Sequence, residues 1–402
     1  MNYELITFYL ICFVIPNLFL NILQYRHIQK TMQFDAVLLS PKDYLEAGHY
    51  ALAKLRLSIF QDLFGFAFFV FWILYGLKWL NLVDFFAHGF GNQVLIVLGL
   101  LVFMQIFHLP FKYWQEMVID KQYGFSHQTI KLFLMDFVRG MSLLVVAGSL
   151  VLYGLVLLIH YLQTWWLWCA VFVFATVLMI NFLYPTWIAP LFNTFTPLQD
   201  SLLQEKIEGL MKSVGFQSSG IFVMDASKRD GRLNAYFGGF GKNKRVVLFD
   251  TLLEKISSEG LIAILGHELG HFKHKDLVFG IVVQGVFLFC IFYLLGSLPQ
   301  SLFEGLGLSQ TPANLLMLLL LMMPLIAFWF LPFVGFFSRK AEYRADAFGA
   351  SLSSKKALAQ ALVRLVEKNK SFPHSHPLYI CFHYTHPPLL ERLKALDYEI
   401  SR

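Results

Sequence analysis

Charge is scarce in this chain: Asp, Glu, Lys and Arg make up 14% of its 402 residues, against about 25% in an ordinary soluble domain. The deficit excludes the two or three water-soluble domains that length alone would suggest. It also argues against an ion or proton transporter, whose pathway needs charged groups within its spans. Asp62 and Asp136, near the ends of apolar runs, are the exceptions. Cysteine is scarce too. Cys12, Cys169 and Cys290 fall within apolar runs, and none of the three pairs with another cysteine or with Cys381 in a C-x-x-C motif. That excludes a disulfide framework and a thiolate zinc site and leaves small apolar packing residues. There is no internal repeat and no low-complexity tract. The net charge of +6 does not indicate nucleic acid, because the basic residues gather in particular loops, as membrane orientation requires.

What fills the chain instead is apolar: 57% of residues are hydrophobic and 43 are Phe. Seven segments, at about 5–23, 57–77, 93–111, 140–159, 165–184, 277–296 and 314–337, are long enough to cross roughly 30 Å of hydrocarbon. The first has no basic n-region and no small-x-small cleavage site after Asn21, so it reads as a retained helix and not a signal peptide. Loop 24–56 carries Arg26, Lys30, Lys42, Lys54 and Arg56, and loop 112–139 carries Lys112, Lys121, Lys131 and Arg139. Loop 78–92 has only Lys78, and loops 160–164 and 297–313 have no Lys or Arg. Positive-inside asymmetry then puts the N-terminus outside or lumenal and the C-terminus in the cytoplasm. Seven spans give the same parity.

The chain divides into five spans with their loops (1–184), a cytoplasmic piece (185–276), spans six and seven (277–337) and a second cytoplasmic piece (338–402). Pro185 and Pro190 should break helix five at the membrane surface. Residues 198–214 read as an amphipathic helix ended by Gly215. Residues 221–224 and 245–249 read as strands, with 234–240 a third strand ending in glycines. Ser257 or Ser258 could cap the next helix, with Glu259 in its first turn. The second piece reads as helices 338–350 and 354–369, a Pro- and His-rich loop 372–388 and a last helix.

The chemistry lies in Gly266-His267-Glu268-Leu269-Gly270-His271, an H-E-x-x-H pattern in a helical setting. Histidines four apart share one helix face, so both imidazoles can reach one zinc ion, and Glu268 beside them can take a proton from the attacking water. A catalytic zinc needs a third protein ligand and one open position. The best candidate is Glu342, in Ser338-Arg339-Lys340-Ala341-Glu342-Tyr343-Arg344-Ala345-Asp346. Asp346, one turn further on the same face, could accept the N–H of a zinc-bound histidine and fix its tautomer. His274 competes for the third position, although three ligands from one straight helix surround a tetrahedral ion badly. One of His374, His376, His383 and His386 could also approach the metal.

These stretches resemble a known family. Ile188–Asn193, Phe195–Leu198, Asn234–Phe240, Lys244–Leu253, His267–His271, Ser338–Asp346 and His386-Pro387-Pro388 with Glu391-Arg392-Leu393 together resemble the seven-span membrane CAAX prenyl proteases, zinc metalloendopeptidases of peptidase family M48. The resemblance implies an α-helical polytopic membrane protein with seven transmembrane helices and a cytoplasmic gluzincin-like α+β metalloprotease domain. It implies one Zn2+ per chain on His267, His271 and Glu342, with Glu268 as general base. It implies that Asn234, at the start of an edge strand, holds the substrate backbone, and that His386 and Arg392 stabilise the oxyanion. His386 precedes a helix expected to start at Pro387-Pro388, which favours a neutral imidazole. The family's spans enclose a water-filled chamber, and its substrates are prenylated CAAX proteins or peptides cut near the C-terminus. A quality-control protease acting on misfolded or translocon-stalled proteins would use the same chemistry, but those relatives have about four spans. The length, the short 297–313 loop and a C-terminus reading Glu399-Ile400-Ser401-Arg402 fit a bacterial member, so the host membrane is a bacterial inner membrane or the endoplasmic reticulum.

Overall fold

The computed structural model describes residues 1–82, 89–239 and 244–399. Five long apolar helices come first: α1 (Asn2–Thr31), α2 (Pro41–Leu80), α3 (Phe90–Gln122), α4 (Ile130–Tyr161) and α5 (Trp165–Leu191). A small mixed region follows: β1 (Phe195–Pro197), α6 (Ser201–Ser213), β2 (Ile221–Met224), β3 (Ala235–Gly238), β4 (Arg245–Phe249), α7 (Asp250–Lys255) and α8 (Ser258–Lys273). Two more long apolar helices, α9 (Asp276–Gly296) and α11 (Pro312–Leu352), flank a short α10 (Gln300–Leu306). The fold closes with α12 (Lys355–Lys368), α13 (Pro377–His383) and α14 (Leu389–Ala395). Among the described residues, seven helices are thus long and apolar enough to cross a membrane. Much of the lightly charged loop 78–92, the Phe240 end of the expected third strand and the last three residues lie outside the described residues.

The spans pack through one continuous apolar core that includes Phe69, Trp72, Val97, Val156, Cys169 and Leu321. Cys169 is fully buried there, a small packing residue as its setting suggested. Leu150, Val146, Val286 and Leu294 stay exposed on the outer faces, where lipid is their solvent.

Two expectations need correction. The segment 338–350 is not a separate helix: α11 runs unbroken for 41 residues, about 60 Å at 1.5 Å per residue. Pro324 and Pro332 lie inside it, tolerated because neighbouring helices support a span at the freed carbonyls. The expected boundary at 337/338 therefore falls within one rigid rod. Pro185 does break the fifth helix as expected: its regular α-helical part ends at Leu183. The chain widens into a π-turn at Tyr184–Ile188 and tightens into a 3-10 turn at Ala189–Leu191, which relieves the clash of the proline ring with the preceding turn. The stretch 372–388 is not all loop, since α13 forms within it, started by Pro377 and capped when Leu378 N–H donates to His376 Nδ1 at 3.3 Å.

The sheet has order β1-β2-β4-β3. β2 and β4 run parallel, and β3 lies antiparallel to β4 as an edge strand. β1, three residues ending in Pro197, carried no alternation signal and survives as the other edge, where proline is tolerated. Leu248 from the sheet and Leu261, Leu265 and Leu269 from α8 share a second core. The sheet is therefore stacked on one face of α8, and the opposite face meets α11.

That second contact is backbone against backbone. A Cβ on Gly270 would lie 2.8 Å from Ala345 Cα, one on Gly349 would lie 2.7 Å from His267 N, and one on Gly266 would lie 3.3 Å from Gly349 Cα. Small residues at these crossings let two helices approach as they do in membrane bundles. Alanine favours a helix over glycine by about 1 kcal/mol, so propensity alone predicts that Gly349→Ala stabilises the protein. The contact predicts the opposite: overpacking of about 1–3 kcal/mol, a lower Tm and less bound zinc. An unchanged or higher Tm in a thermal melt would contradict the close crossing.

Candidate metal centre

Helix α8 starts where Ser257 Oγ accepts the Gly260 N–H at 3.2 Å, one of the two caps expected. Ten and fourteen residues on, the helix carries His267 and His271 with ring centroids 4.9 Å apart, edge to face. Glu342, only 3% exposed, projects from α11 between them. Its Oε2 lies 3.5 Å from His267 Nε2 and its Oε1 lies 3.3 Å from His271 Nε2. One ligand atom from each of the three residues falls within 4.8 Å of the others.

The donor set fits zinc on this geometry. Glu342 Oε2 is buried without a hydrogen-bond partner, a costly arrangement unless a cation completes it. Glu268, Glu342 and Asp346 face one guanidinium, that of Arg392. Three carboxylates against one cation leave the charge that a single divalent ion would balance. Two imidazoles, one carboxylate and an open side are the ligand types and number of a catalytic zinc site.

Each ligand is held from behind. His271 Nδ1 is hydrogen-bonded to Asp276 Oδ2 at 2.9 Å, and Asp276 Oδ1 accepts from Arg344 Nη2 at 2.7 Å. His267 Nδ1 approaches Asp346 Oδ1 at 2.8 Å, off the line of a regular hydrogen bond. Asp346 accepts a bidentate fork from Arg392 Nε at 2.8 Å and Nη2 at 2.6 Å, and Arg392 Nη1 lies 3.3 Å from Glu342 Oε2. Asp276 was not anticipated from sequence. The signal was there: a carboxylate five residues after His271, brought back by Lys275 in the left-handed region at φ 58°.

The other sequence candidates separate cleanly. His386 Nε2 stands 3.2 Å from Glu342 Oε1, so it joins the site. Its ring is water-accessible yet lies inside a cavity, and burial among protein atoms pushes its pKa down, with Glu342 opposing and Arg392 adding to the shift. Arg339 secures the approach to His386 by donating to the carbonyls of Ile380 and Tyr384. His274 turns to Phe348 and is not in the metal group. His374 packs on Phe372 and Tyr44, His383 on Tyr379, and His376 serves as a helix cap. Burial pushes the Glu268 carboxyl above its ordinary value; His267, His271 and Arg392 pull it back and Glu342 adds to the rise.

Asn234 is exposed just before β3, and its carbonyl accepts the Phe249 N–H at 3.1 Å. Alternation along a strand then turns the backbone groups of Leu233, Ala235 and Phe237 toward the free edge. A cavity of about 810 Å³ lies beside these elements, its lining including His386, Arg392, Arg232, Asn369 and Lys54.

Burial alone would lower the pKa of His271, but its bonds to Glu342 and Asp276 hold it up at about 9. In the metal-free protein this histidine is therefore protonated at neutral pH, and zinc must displace a proton to reach Nε2. Zinc affinity should climb about tenfold per pH unit up to about pH 9, measured by competition with a chelator of known affinity. Asp276→Asn should flatten that slope near neutrality and weaken zinc by about 10–100-fold. A pH-independent affinity in the unaltered protein would contradict the protonated His271.

Two family profiles together match most of the chain. Residues 197–400 match the family profile "Peptidase family M48", and residues 24–194 match "CAAX prenyl protease N-terminal, five membrane helices". The chain is 38% identical to CAAX prenyl protease 1 homolog of Arabidopsis thaliana over 321 residues, covering 77% of this chain and 75% of that one. It is 33% identical to CAAX prenyl protease 1 of Saccharomyces cerevisiae over 424 residues, covering 94% and 92%. The crystal structure of S. mikatae Ste24p superposes with a TM-score of 0.87 at 30% identity, covering 96% of this chain and 97% of that one.

Proposed function

The chain belongs to peptidase family M48, as an integral multi-pass membrane zinc metalloendopeptidase of the CAAX prenyl protease 1 family, and from that premise we propose that it hydrolyses peptide bonds near the C-terminus of prenylated CAAX proteins. The observation that carries the reading is the His267–His271–Glu342 group, which His386 and Arg392 join to a cavity also lined by Arg232 and Asn369, next to an edge strand.

Zinc on these three residues would supply Lewis acidity toward the scissile carbonyl and lower the pKa of water toward about 7. Glu268, its pKa raised by burial, accepts the proton of the attacking water and delivers it to the leaving amine. His386, kept neutral by its surroundings, donates to the oxyanion as charge develops there. Arg392 is committed to Asp346 through Nε and Nη2, so it acts mainly by holding Asp346 and Glu342 in place, with Nη1 its remaining donor toward substrate. Asn234 and the free edge of β3 align the substrate backbone by strand addition.

The alternation of basic and uncharged loops supports a cytoplasmic catalytic domain with the N-terminus outside or lumenal. Prenylated substrate is itself anchored in the bilayer, and α11, which carries Glu342, is one of the seven candidate spans.

Glu268→Gln should keep its zinc and lose turnover by about 10²–10⁴-fold. Mass spectrometry of products from a farnesylated CAAX peptide and its unprenylated twin reads both points. Cleavage after the modified cysteine, absent in the variant, supports the proposal. Scattered cuts in both peptides alike would move the assignment to a quality-control protease, and full activity in the variant would remove Glu268 from the mechanism.

A further inference from the structure

We propose that Lys54, beside Arg232, binds the free α-carboxylate of the substrate, which makes the site read a chain end and not only a sequence. This inference rests on the C-terminal cleavage proposed above and goes further, naming the group that measures distance from the end.

The free edge of β3 stops abruptly. Leu233 turns its backbone groups to that edge, and the Asn369 side chain already takes both: Leu233 N–H donates to Asn369 Oδ1 at 2.9 Å, and Asn369 Nδ2 donates to Leu233 O at 3.3 Å. An added peptide can pair with Ala235 and Phe237, but its pairing with the strand ends at Leu233, so the residues beyond leave the edge for the cavity wall. Beyond that stop, on the same cavity wall, stand three cations: Arg232, Lys370 and Lys54.

Two of the three are neutralised. Arg232 pairs with Asp120 at 3.0 Å and with Asp230, and Tyr50 O–H donates to Asp120 at 2.6 Å. Lys370 pairs with Glu46 at 2.6 Å and donates to Tyr123 O at 2.7 Å. Lys54 is exposed, and among the described residues its ammonium makes no ion pair and no hydrogen bond. It lies 5.2 Å from the centre of the Tyr50 ring, and the Arg232 guanidinium lies 6.0 Å from the same ring. Arg232, held by its two carboxylates, and Lys54 thus flank one ring, and Lys54 is the cation left over for an anionic ligand.

Spacing and direction agree. Three extended residues span about 10 Å, the reach from a scissile bond beside Asn234 to a carboxylate level with or just beyond Arg232, two positions earlier in the chain. A substrate whose C-terminus lies at the N-terminal end of β3 runs antiparallel to it, the more stable pairing.

The test uses zinc-loaded full-length protein and one farnesylated CAAX peptide made as the free acid and as the C-terminal amide. The contact is far from the reacting bond, so it acts on KM more than on kcat. The acid should be cleaved about tenfold more efficiently than the amide, the size of one charge-assisted contact. In Lys54→Gln that ratio should fall to about one, and in Lys54→Arg most of it should return. Equal cleavage of acid and amide by the unaltered protein would overturn the proposal, as would an unchanged ratio in Lys54→Gln or an equal KM increase for both peptides. Failure to cleave either peptide would remove the underlying C-terminal cleavage and this inference with it.

Discussion

The zinc group exists because two helices touch at their backbones. His267 and His271 lie on α8, Glu342 on α11, and the close approach of the two backbones sets the buried carboxylate between the imidazoles. Gly266 and Gly270 on one helix, with Ala345 and Gly349 on the other, clear the space. The motif is therefore spelled as much by its glycines as by its histidines. The same contact fuses membrane and catalytic parts, since α11 is a span at one end and a ligand platform at the other. A shift of that span relative to its neighbours would move Glu342 directly.

Around this crossing the protein buries charge that it can hold only as a network. Glu342 and Asp346 are 3% and 1% exposed. Removing one partner from such a group is costly, because the charge left behind stays buried. Asp346 faces His267 and Arg392, Asp276 joins His271 to Arg344, and Arg392 bridges Asp346 and Glu342. Tyr343, also on α11, donates to Glu391 at 2.9 Å. The C-terminal segment is thus pinned to α11 at Glu391 and Arg392, with Arg339 holding the turn before His386. Sequence positions more than a hundred residues apart become one rigid surface facing the cavity.

Much of this was legible in the sequence, for physical reasons. Apolar runs of about 20 residues have few alternatives to spanning, so the seven spans and their order could be read directly. Histidines four apart with a carboxylate beside them announce a metal helix, and Glu342 with Asp346 one turn later has the spacing of a ligand and its support. What could not be read depends on tertiary contact. The continuity of α11 past Pro324 and Pro332 is decided by neighbours, not by proline propensity. β1 exists because β2 offers it an edge. Asp276 acts only because Lys275 folds the chain back on itself. Asn369 reaches Leu233 across 136 residues, a pairing with no local signal. The roles of Asn234 and Arg392 came from family resemblance; the structure adds that the arginine's fork is already engaged.

The central claim is that this α8–α11 crossing holds a zinc ion on two imidazoles and one carboxylate. X-ray absorption at the zinc edge of the purified membrane protein tests it most directly. The account predicts a first shell of nitrogen and oxygen only, at about 2.0–2.2 Å, with multiple scattering from two imidazoles, and loss of bound zinc in Glu342→Ala. A sulfur shell near 2.3 Å, a third imidazole in place of the carboxylate, or full zinc occupancy in Glu342→Ala would contradict it.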